Sequence, residues 1–186
     1  MTRQVIVVDT ETTGLHKDAV ILEVAAVNLT TGDEFHFVPY VSMEVFATAE
    51  PAALAINRYF ERGLRRDMLS WADTSREYGG LANALRGNVL AGSNPTFDSR
   101  LLSKINLSRW PGDSSFLLGA PWHHRLLDLS AYAAGVLGLP LEELPGLHTV
   151  CEYLGVENDD PHSALADARA TAECFRQLRE IGKRHE

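Results

Sequence analysis

The feature that most constrains the fold is an apolar run near the start of the chain that ends in two acidic residues. Residues 4–9 (QVIVVD) are mostly β-branched and apolar, which predicts a buried strand. Side chains at i and i+2 of a strand share one face, so Asp9 and Glu11 should lie side by side. A divalent cation between them would offset their repulsion and lost hydration. A solvated strand end with two acids is a common alternative, so this pattern alone does not establish a metal site.

The rest of the hydrophobic pattern predicts an α/β domain with a mixed sheet. Residues 20–29 and 34–41 predict two further strands joined by a turn at 30–33, so the chain opens as a three-stranded meander. Helical patterns then alternate with one short strand at 88–94. The helices are predicted at 49–63, 74–87, 95–107, 125–138, 147–156 and 163–181. The segment 108–124 is rich in turn residues and matches neither pattern.

Local signals place several helix starts. Thr74, followed three residues later by Glu77, forms a capping-box pattern that predicts an N-cap. Pro95 suits the first position of a helix. Asp128 is interpreted as an N-cap or first-turn acid.

Charge limits the kind of partner that the chain can hold. Its 186 residues fit one domain, and their net charge is −8. A protein that grips duplex nucleic acid by its phosphates usually carries many Lys and Arg side chains. If this chain handles nucleic acid, we expect it to bind a short segment or an end, with metal cations supplying positive charge.

The cysteines and the N-terminus indicate a compartment. Cys151 and Cys174 are not in CxxC spacing and lie in apolar helical patterns, which is typical of reduced thiols in a core. The apolar run at the N-terminus is too short for a signal peptide or a membrane span. We therefore expect a soluble, cytoplasmic protein.

Three more residues carry potential chemistry at the starts of helices. Asp98 lies in the first turn of a predicted helix, where the helix dipole favours an acid whatever its function. His162 precedes the last helix, and Asp167 follows within the early turns of that helix. A histidine at a helix start is usually a cap or a surface residue. Each residue taken alone has a structural explanation.

Three motifs that occur in this order resemble the DnaQ-like 3′–5′ exonuclease family, in its His-containing (DEDDh) form. They are VIVVDTETTGL at 5–15, AGSNPTFDSRLL at 91–102 and HSALADARAT at 162–171. This family includes the proofreading subunit of bacterial replicative polymerase, ribonuclease T and oligoribonuclease. The resemblance covers nearly the whole chain. It implies an α/β, ribonuclease H-like fold, a mixed five-stranded sheet flanked by helices, in a single exonuclease domain over residues 1–186.

The resemblance implies a catalytic role for five residues. Asp9, Glu11, Asp98 and Asp167 match the four acidic ligands of two divalent cations, Mg²⁺ or Mn²⁺. Asp9 matches the ligand that bridges both ions. His162 matches the general base, which suits a side chain that titrates near physiological pH.

The resemblance also implies contacts with substrate. Five residues match positions close to the bound strand: Thr12, Thr13, Leu15, Asn94 and Phe97. The first three belong to a loop that holds the 3′-terminal nucleotide, with Leu15 beside the last base. Many relatives carry His-Asn where this chain has Ser93-Asn94, so the substrate contacts at that turn need a test of their own.

The implied activity is metal-dependent hydrolysis of phosphodiester bonds at the 3′ end of single-stranded DNA or RNA, releasing nucleoside 5′-monophosphates. The expected partners are single-stranded 3′ ends, with no membrane. A homodimer, a polymerase partner and the choice between DNA and RNA stay open. The alternatives are a proofreading or accessory subunit of a DNA polymerase, an inactive nucleic-acid-binding module on the same fold, and a purely structural origin for the acids.

Overall fold

The computed structural model describes residues 2–105 and 119–184, and within these ranges five strands form one mixed sheet. The strands are β1 (Val5–Thr12), β2 (Ile21–Asn28), β3 (Glu34–Phe37), β4 (Val89–Gly92) and β5 (Leu127–Asp128). Their order is β3-β2-β1-β4-β5. The β1–β2 and β2–β3 pairs are antiparallel, whereas β4 runs parallel to β1 and β5 runs parallel to β4. The predicted mixed five-stranded sheet and its opening meander are confirmed.

Helices cover both faces of the sheet. They are α1 (Met43–Phe46), α2 (Pro51–Ile56), α3 (Leu64–Asp67), α4 (Trp71–Leu85), α5 (Pro95–Leu102), α6 (Leu129–Leu137), α7 (Leu147–Leu154) and α8 (Ala164–Lys183). One hydrophobic core joins the sheet to α4 and α5, and a second joins the opposite face to α6, α7 and α8. This is the layered arrangement expected for an α/β domain.

Alternate residues of β1 enter these two cores. Ile6 and Val8 pack with α4 and α5, whereas Val7 packs with α6, α7 and α8. Asp9 and Glu11 continue the positions of Val7, so they emerge on the face that α8 covers. The strand therefore determines the side of the sheet on which its two acids lie.

Several elements differ from prediction. The segment 125–138, predicted as one helix, begins with the strand β5, and the helix predicted over 95–107 ends at Leu102.

The helix predicted over 49–63 is only α2, and the backbone continues from Ile56 in turns. The strand predicted over 34–41 ends at Phe37, after which Val38 makes a single parallel bridge to Met68. In both cases tertiary contacts end an element that local propensity would extend.

The predicted start of α4 is wrong. Ser70, not Thr74, is the N-cap, and its hydroxyl accepts a hydrogen bond from the backbone N–H of Asp73. Thr74 lies inside the helix, where its Oγ1 accepts from Tyr40 N at 2.8 Å. Asp128 is confirmed as an N-cap, since its Oδ1 accepts from Ser130 N at 2.8 Å at the start of α6.

The buried thiols agree with the sequence interpretation. Cys151 and Cys174 are free and buried in the core beside α8, with their sulfur atoms 3.7 Å apart.

Among the described residues, none of the helices has the length and apolar character needed to cross a membrane. Residues 106–118, the larger part of the turn-rich segment, lie outside the described residues.

Candidate active site

Three segments that are distant in sequence bring acids to one end of the sheet. β1 supplies Asp9 and Glu11, the first turn of α5 supplies Asp98, and the first turn of α8 supplies Asp167. Because β1 and β4 are parallel neighbours, the end of β1 and the start of α5 lie at the same edge. The topology itself therefore assembles the acids.

The turn between β4 and α5 is built for close approach. A Cβ added to Gly92 would lie 2.8 Å from the carbonyl oxygen of Val8, a distance that real Cβ atoms do not adopt. Asn94 then takes a left-handed conformation with φ of 62°, and Pro95 opens the helix. This glycine lets α5 begin directly against β1, which places Asp98 4% exposed beside the strand.

Glu11, His162 and Asp167 form the tightest part of the cluster. One ligand atom from each lies within 4.8 Å of the other two. Asp9 and Asp98 lie close enough for their charges to act on each other, and Asp9 is also acted on by Asp167 and Glu11. All five predicted catalytic residues thus belong to one cluster.

Burial and mutual repulsion make these carboxyl groups hard to ionise. Burial first, then the charges of Asp98, Asp167 and Glu11, raise the pKa of Asp9 well above its usual value. Burial and the charge of Asp167 raise the pKa of Glu11 to about 7. Burial raises the pKa of Asp98 to about 7, and it also raises that of Asp167. The guanidinium of Arg62 lowers the pKa of Glu11, but it does not outweigh burial and the neighbouring acids.

The donor set fits a hard divalent cation. Four carboxylates offer only oxygen ligands, which suit Mg²⁺ or Mn²⁺ far better than zinc. Hydrogen bonds from neighbouring side chains orient two of these carboxylates, as such bonds do for the ligands of metal sites. Thr10 Oγ1 donates to Asp98 Oδ1 at 2.7 Å, and Asn158 Nδ2 donates to Asp167 Oδ1 at 2.6 Å.

His162 lies at the open side of the cluster. His162 is exposed, and its backbone takes a left-handed conformation with φ of 64°. The backbone N–H donates to Asp167 Oδ2 at 3.2 Å. The imidazole is therefore next to the acids while it stays accessible to water and to a ligand.

The loop after β1 is held from both sides. Thr12 Oγ1 donates to Gly14 O at 2.8 Å, and Asn57 Nδ2 donates to Thr12 O at 3.2 Å. Thr13 is fully buried, and its hydroxyl accepts from Val20 N at 2.9 Å. The side chain of Thr13 thus shapes the loop from inside, and its contact with substrate stays a prediction.

The other predicted substrate residues differ in exposure. Leu15 is 78% exposed. Asn94 is exposed at the start of α5, whereas Phe97 is partly buried against the α4–α5 core. The guanidinium carbon of Arg100 lies 5.3 Å from the centre of the Phe97 ring. Leu15 and Asn94 are the residues most open to a ligand.

The sequence analysis missed two charged residues beside the site. Glu23, on β2, is fully buried opposite Glu11 in the strand register. Arg62 donates to both of its carboxylate oxygens, at 2.8 Å and 2.7 Å. The available signal was an acid in the middle of the apolar strand ILEVAAVN, where a buried carboxylate requires a partner.

Comparison with known families gives a match over most of the chain. A family model described as Exonuclease (RNase_T) matches residues 6–175, a range that contains all five predicted catalytic residues. Two curated relatives are DNA polymerase III PolC-type proteins of Thermotoga petrophila and Thermotoga maritima, 27% and 28% identical over 187 residues. The alignments cover 96% of this chain and 12% of each relative, so the chain spans a small part of their length.

Solved structures share the fold. Exonuclease I of E. coli in complex with a dT13 oligonucleotide superposes with a TM-score of 0.71 at 18% identity, over 99% of this chain and 42% of that chain. A moderately thermophilic exonuclease I from Methylocaldum szegediense gives 0.68 at 20% identity, over 96% and 41%. This likeness confirms the predicted ribonuclease H-like fold.

Proposed function

Since the chain belongs to the Exonuclease family, we propose that residues 1–186 form a single catalytic domain that shortens single-stranded DNA or RNA from the 3′ end. The reaction is metal-dependent hydrolysis of the terminal phosphodiester bond, and the product is a nucleoside 5′-monophosphate. One observation carries the proposal: three distant segments place four carboxyl groups and one exposed imidazole in a single cluster.

The residues of the cluster have two roles, metal binding and proton transfer. Asp9, Glu11, Asp98 and Asp167 would hold two Mg²⁺ or Mn²⁺ ions. When bound, these ions provide Lewis acidity and a lowered pKa for a bound water. An imidazole nitrogen of His162 accepts the proton of the attacking water, because the side chain is exposed beside Glu11 and Asp167. This is the division of roles in the DEDDh form of the family.

The charge of the protein favours capture of an end over grip on a duplex. With a net charge of −8, the chain has little capacity to replace counterions along a double helix. The Thr12–Leu15 loop and Asn94 flank the acids, and the exposed Leu15 offers an apolar surface for the terminal base. The dT13 complex of exonuclease I supports a single-stranded substrate.

A second candidate function is proofreading or accessory work beside a DNA polymerase. The similarity to the two PolC-type polymerases favours it, since 96% of this chain aligns with a part of each. Purified protein that degrades oligonucleotides poorly, and is stimulated at least tenfold by a replicative polymerase, would support this candidate over a free-standing enzyme.

The direct test uses single-stranded DNA and RNA oligonucleotides labelled at the 5′ end, with Mg²⁺, Mn²⁺ or EDTA. We expect a ladder of products shortened stepwise from the 3′ end with either metal, and intact oligonucleotide with EDTA. Circular single-stranded DNA is the matched control, because it offers no end and should stay intact. Cleavage in EDTA, cleavage of the circle, or no cleavage of any linear substrate would contradict the proposal.

A further inference from the structure

Arg62 links the buried acid of β2 to the loop that carries His162. Its side chain is 14% exposed and pairs with both oxygens of Glu23. The same guanidinium donates from Nη1 to His162 O at 3.2 Å and from Nη2 to Ser163 Oγ at 2.9 Å. One side chain therefore bridges a strand of the sheet and the turn before α8.

Glu23 serves as an anchor and has no capacity left for a metal ion. Its Oε1 accepts from His36 Nε2 at 2.8 Å as well as from Arg62, and its Oε2 accepts from Ala164 N at 3.3 Å as well as from Arg62. Four donors satisfy its two oxygens. Ala164 is the first residue of α8, so this carboxylate also fixes the start of the helix that bears Asp167.

The backbone of His162 needs such support. A left-handed conformation at a residue other than glycine is strained, and it persists where surrounding contacts determine it. The N–H of His162 is held by Asp167 and its carbonyl by Arg62. The neighbouring Asp160 is itself bound by the guanidinium of Arg58. Contacts on both sides of His162 therefore hold the backbone from which the imidazole projects.

We propose that Arg62, anchored on Glu23, is a positioning residue that holds the His162 loop in the geometry needed for proton transfer. This inference rests on the exonuclease function proposed above. Arginine is required because its planar fork reaches two carboxylate oxygens and two loop acceptors at once. A lysine ammonium, with the same charge, offers a single nitrogen and cannot span all four.

The first experiment compares Arg62→Lys with the wild type on a 5′-labelled oligonucleotide. We expect kcat to fall about tenfold to hundredfold with KM within about twofold, because misplacing a catalytic group by about 1 Å costs rate and not binding. Arg169→Lys is the matched control. Arg169 makes the same two-bond pair with Glu34 on an exposed face, so this variant should keep wild-type kcat. Unchanged kcat in Arg62→Lys would overturn the proposal.

Epistasis separates positioning from a general structural role. In a His162→Ala background, Arg62→Lys should lower the residual kcat by less than about twofold, because the group it positions is gone. A further loss as large as in the wild type would overturn the proposal. If Arg62→Lys does not fold, Ser163→Ala removes one acceptor of the guanidinium and should show a smaller loss of kcat with the same epistasis.

A third experiment examines the mobility of the His162 loop without metal or substrate. Hydrogen exchange of the backbone amides of residues 162–164 should become at least about tenfold faster in Arg62→Lys and stay unchanged in Arg169→Lys. Unchanged exchange in Arg62→Lys would overturn the proposal. Failure of the wild type to cleave any oligonucleotide would instead refute the proposed function, so the two failures are distinguishable.

Discussion

Glu11 and Glu23 lie opposite each other on adjacent strands, yet their carboxyl groups have opposite ionisation behaviour. Burial and neighbouring acids raise the pKa of Glu11 to about 7. Burial acts on Glu23 in the same direction, but hydrogen bonds from His36 and Arg62 outweigh it and hold the pKa of Glu23 below its usual value. The difference lies in the neighbours: Glu23 is paired with the guanidinium of Arg62, whereas Glu11 lies among acids.

The largest effect should come from removing the central acid of the acid cluster. Asp9→Ala should lower exonuclease activity about 10³-fold or more, because the cluster loses the ligand that matches the bridging position. The melting temperature should not fall, since the variant also removes a buried carboxyl that its neighbours repel. Activity assays and thermal unfolding check both statements, with the exposed Glu143→Ala as control. Substantial residual activity would refute the role of Asp9.

Removal of the base should cost less. His162→Ala should lower kcat about 10²- to 10⁴-fold, the usual contribution of a general base, while divalent-cation affinity changes little. Single-turnover kinetics and Mn²⁺ titration measure the two quantities separately. Unchanged turnover would remove His162 from its proposed role.

Removing Glu23, the acid that is paired with Arg62, should mainly lower the stability of the fold. Glu23→Ala leaves the guanidinium of Arg62 buried without its carboxylate, which should lower the free energy of unfolding by about 3–5 kcal/mol. Denaturant unfolding measures this loss. Glu34→Ala, which breaks the exposed pair with Arg169, should cost about 1 kcal/mol or less. Equal losses in both variants would mean that burial does not distinguish the pairs.

Stability of the metal-free protein should also depend on pH. Glu11 and Asp98 have folded pKa values of about 7, above their unfolded values of about 4 to 4.5, so the folded state binds more protons. Their contribution to stability is complete below about pH 4 and is lost as the pH rises through 7. Glu23 contributes in the opposite sense, since its lowered pKa gives stability above about pH 4.5 that is lost as the pH falls.

The melting temperature of metal-free protein should therefore fall between pH 5 and pH 8. Addition of Mg²⁺ at pH 8 should reverse the fall, because the ion supplies positive charge. Calorimetric scans across this range check the slope. A melting temperature that rises with pH in the absence of metal would contradict the raised pKa values.

Sequence patterns were sufficient to predict β1 to β4 and the residues that converge at the edge of the sheet, whereas β5 lies in a segment predicted as a helix. Alternation in β1 determines the face of Asp9 and Glu11. The motifs at 91–102 and 162–171 predict the helix starts that hold Asp98 and Asp167. The structure brings these residues together, while their catalytic roles stay predictions. Thr74 shows the limit of local signals: its capping-box pattern predicts a helix start, but Ser70, four residues earlier, is the N-cap and Thr74 lies inside the helix.

The Glu23–Arg62 pair could not be found from local sequence. The two residues are 39 positions apart, and Arg62 belongs to a turn segment that the helical pattern at 49–63 misassigned. Only the acid within an apolar strand signalled that a partner must exist. The partner's identity depends on how the α2–α3 connection folds over the site, which is a tertiary property.

The central claim is that the Asp9 cluster binds divalent cations, and titration of Mn²⁺ into metal-free protein by calorimetry tests it most directly. At pH 7, in buffers of different ionisation enthalpy, we predict two Mn²⁺ ions per chain and a net release of protons, because Glu11 and Asp98 are partly protonated before binding. Asp9→Ala should bind fewer ions. Absence of binding, binding without proton release, or unchanged binding by Asp9→Ala would contradict the account.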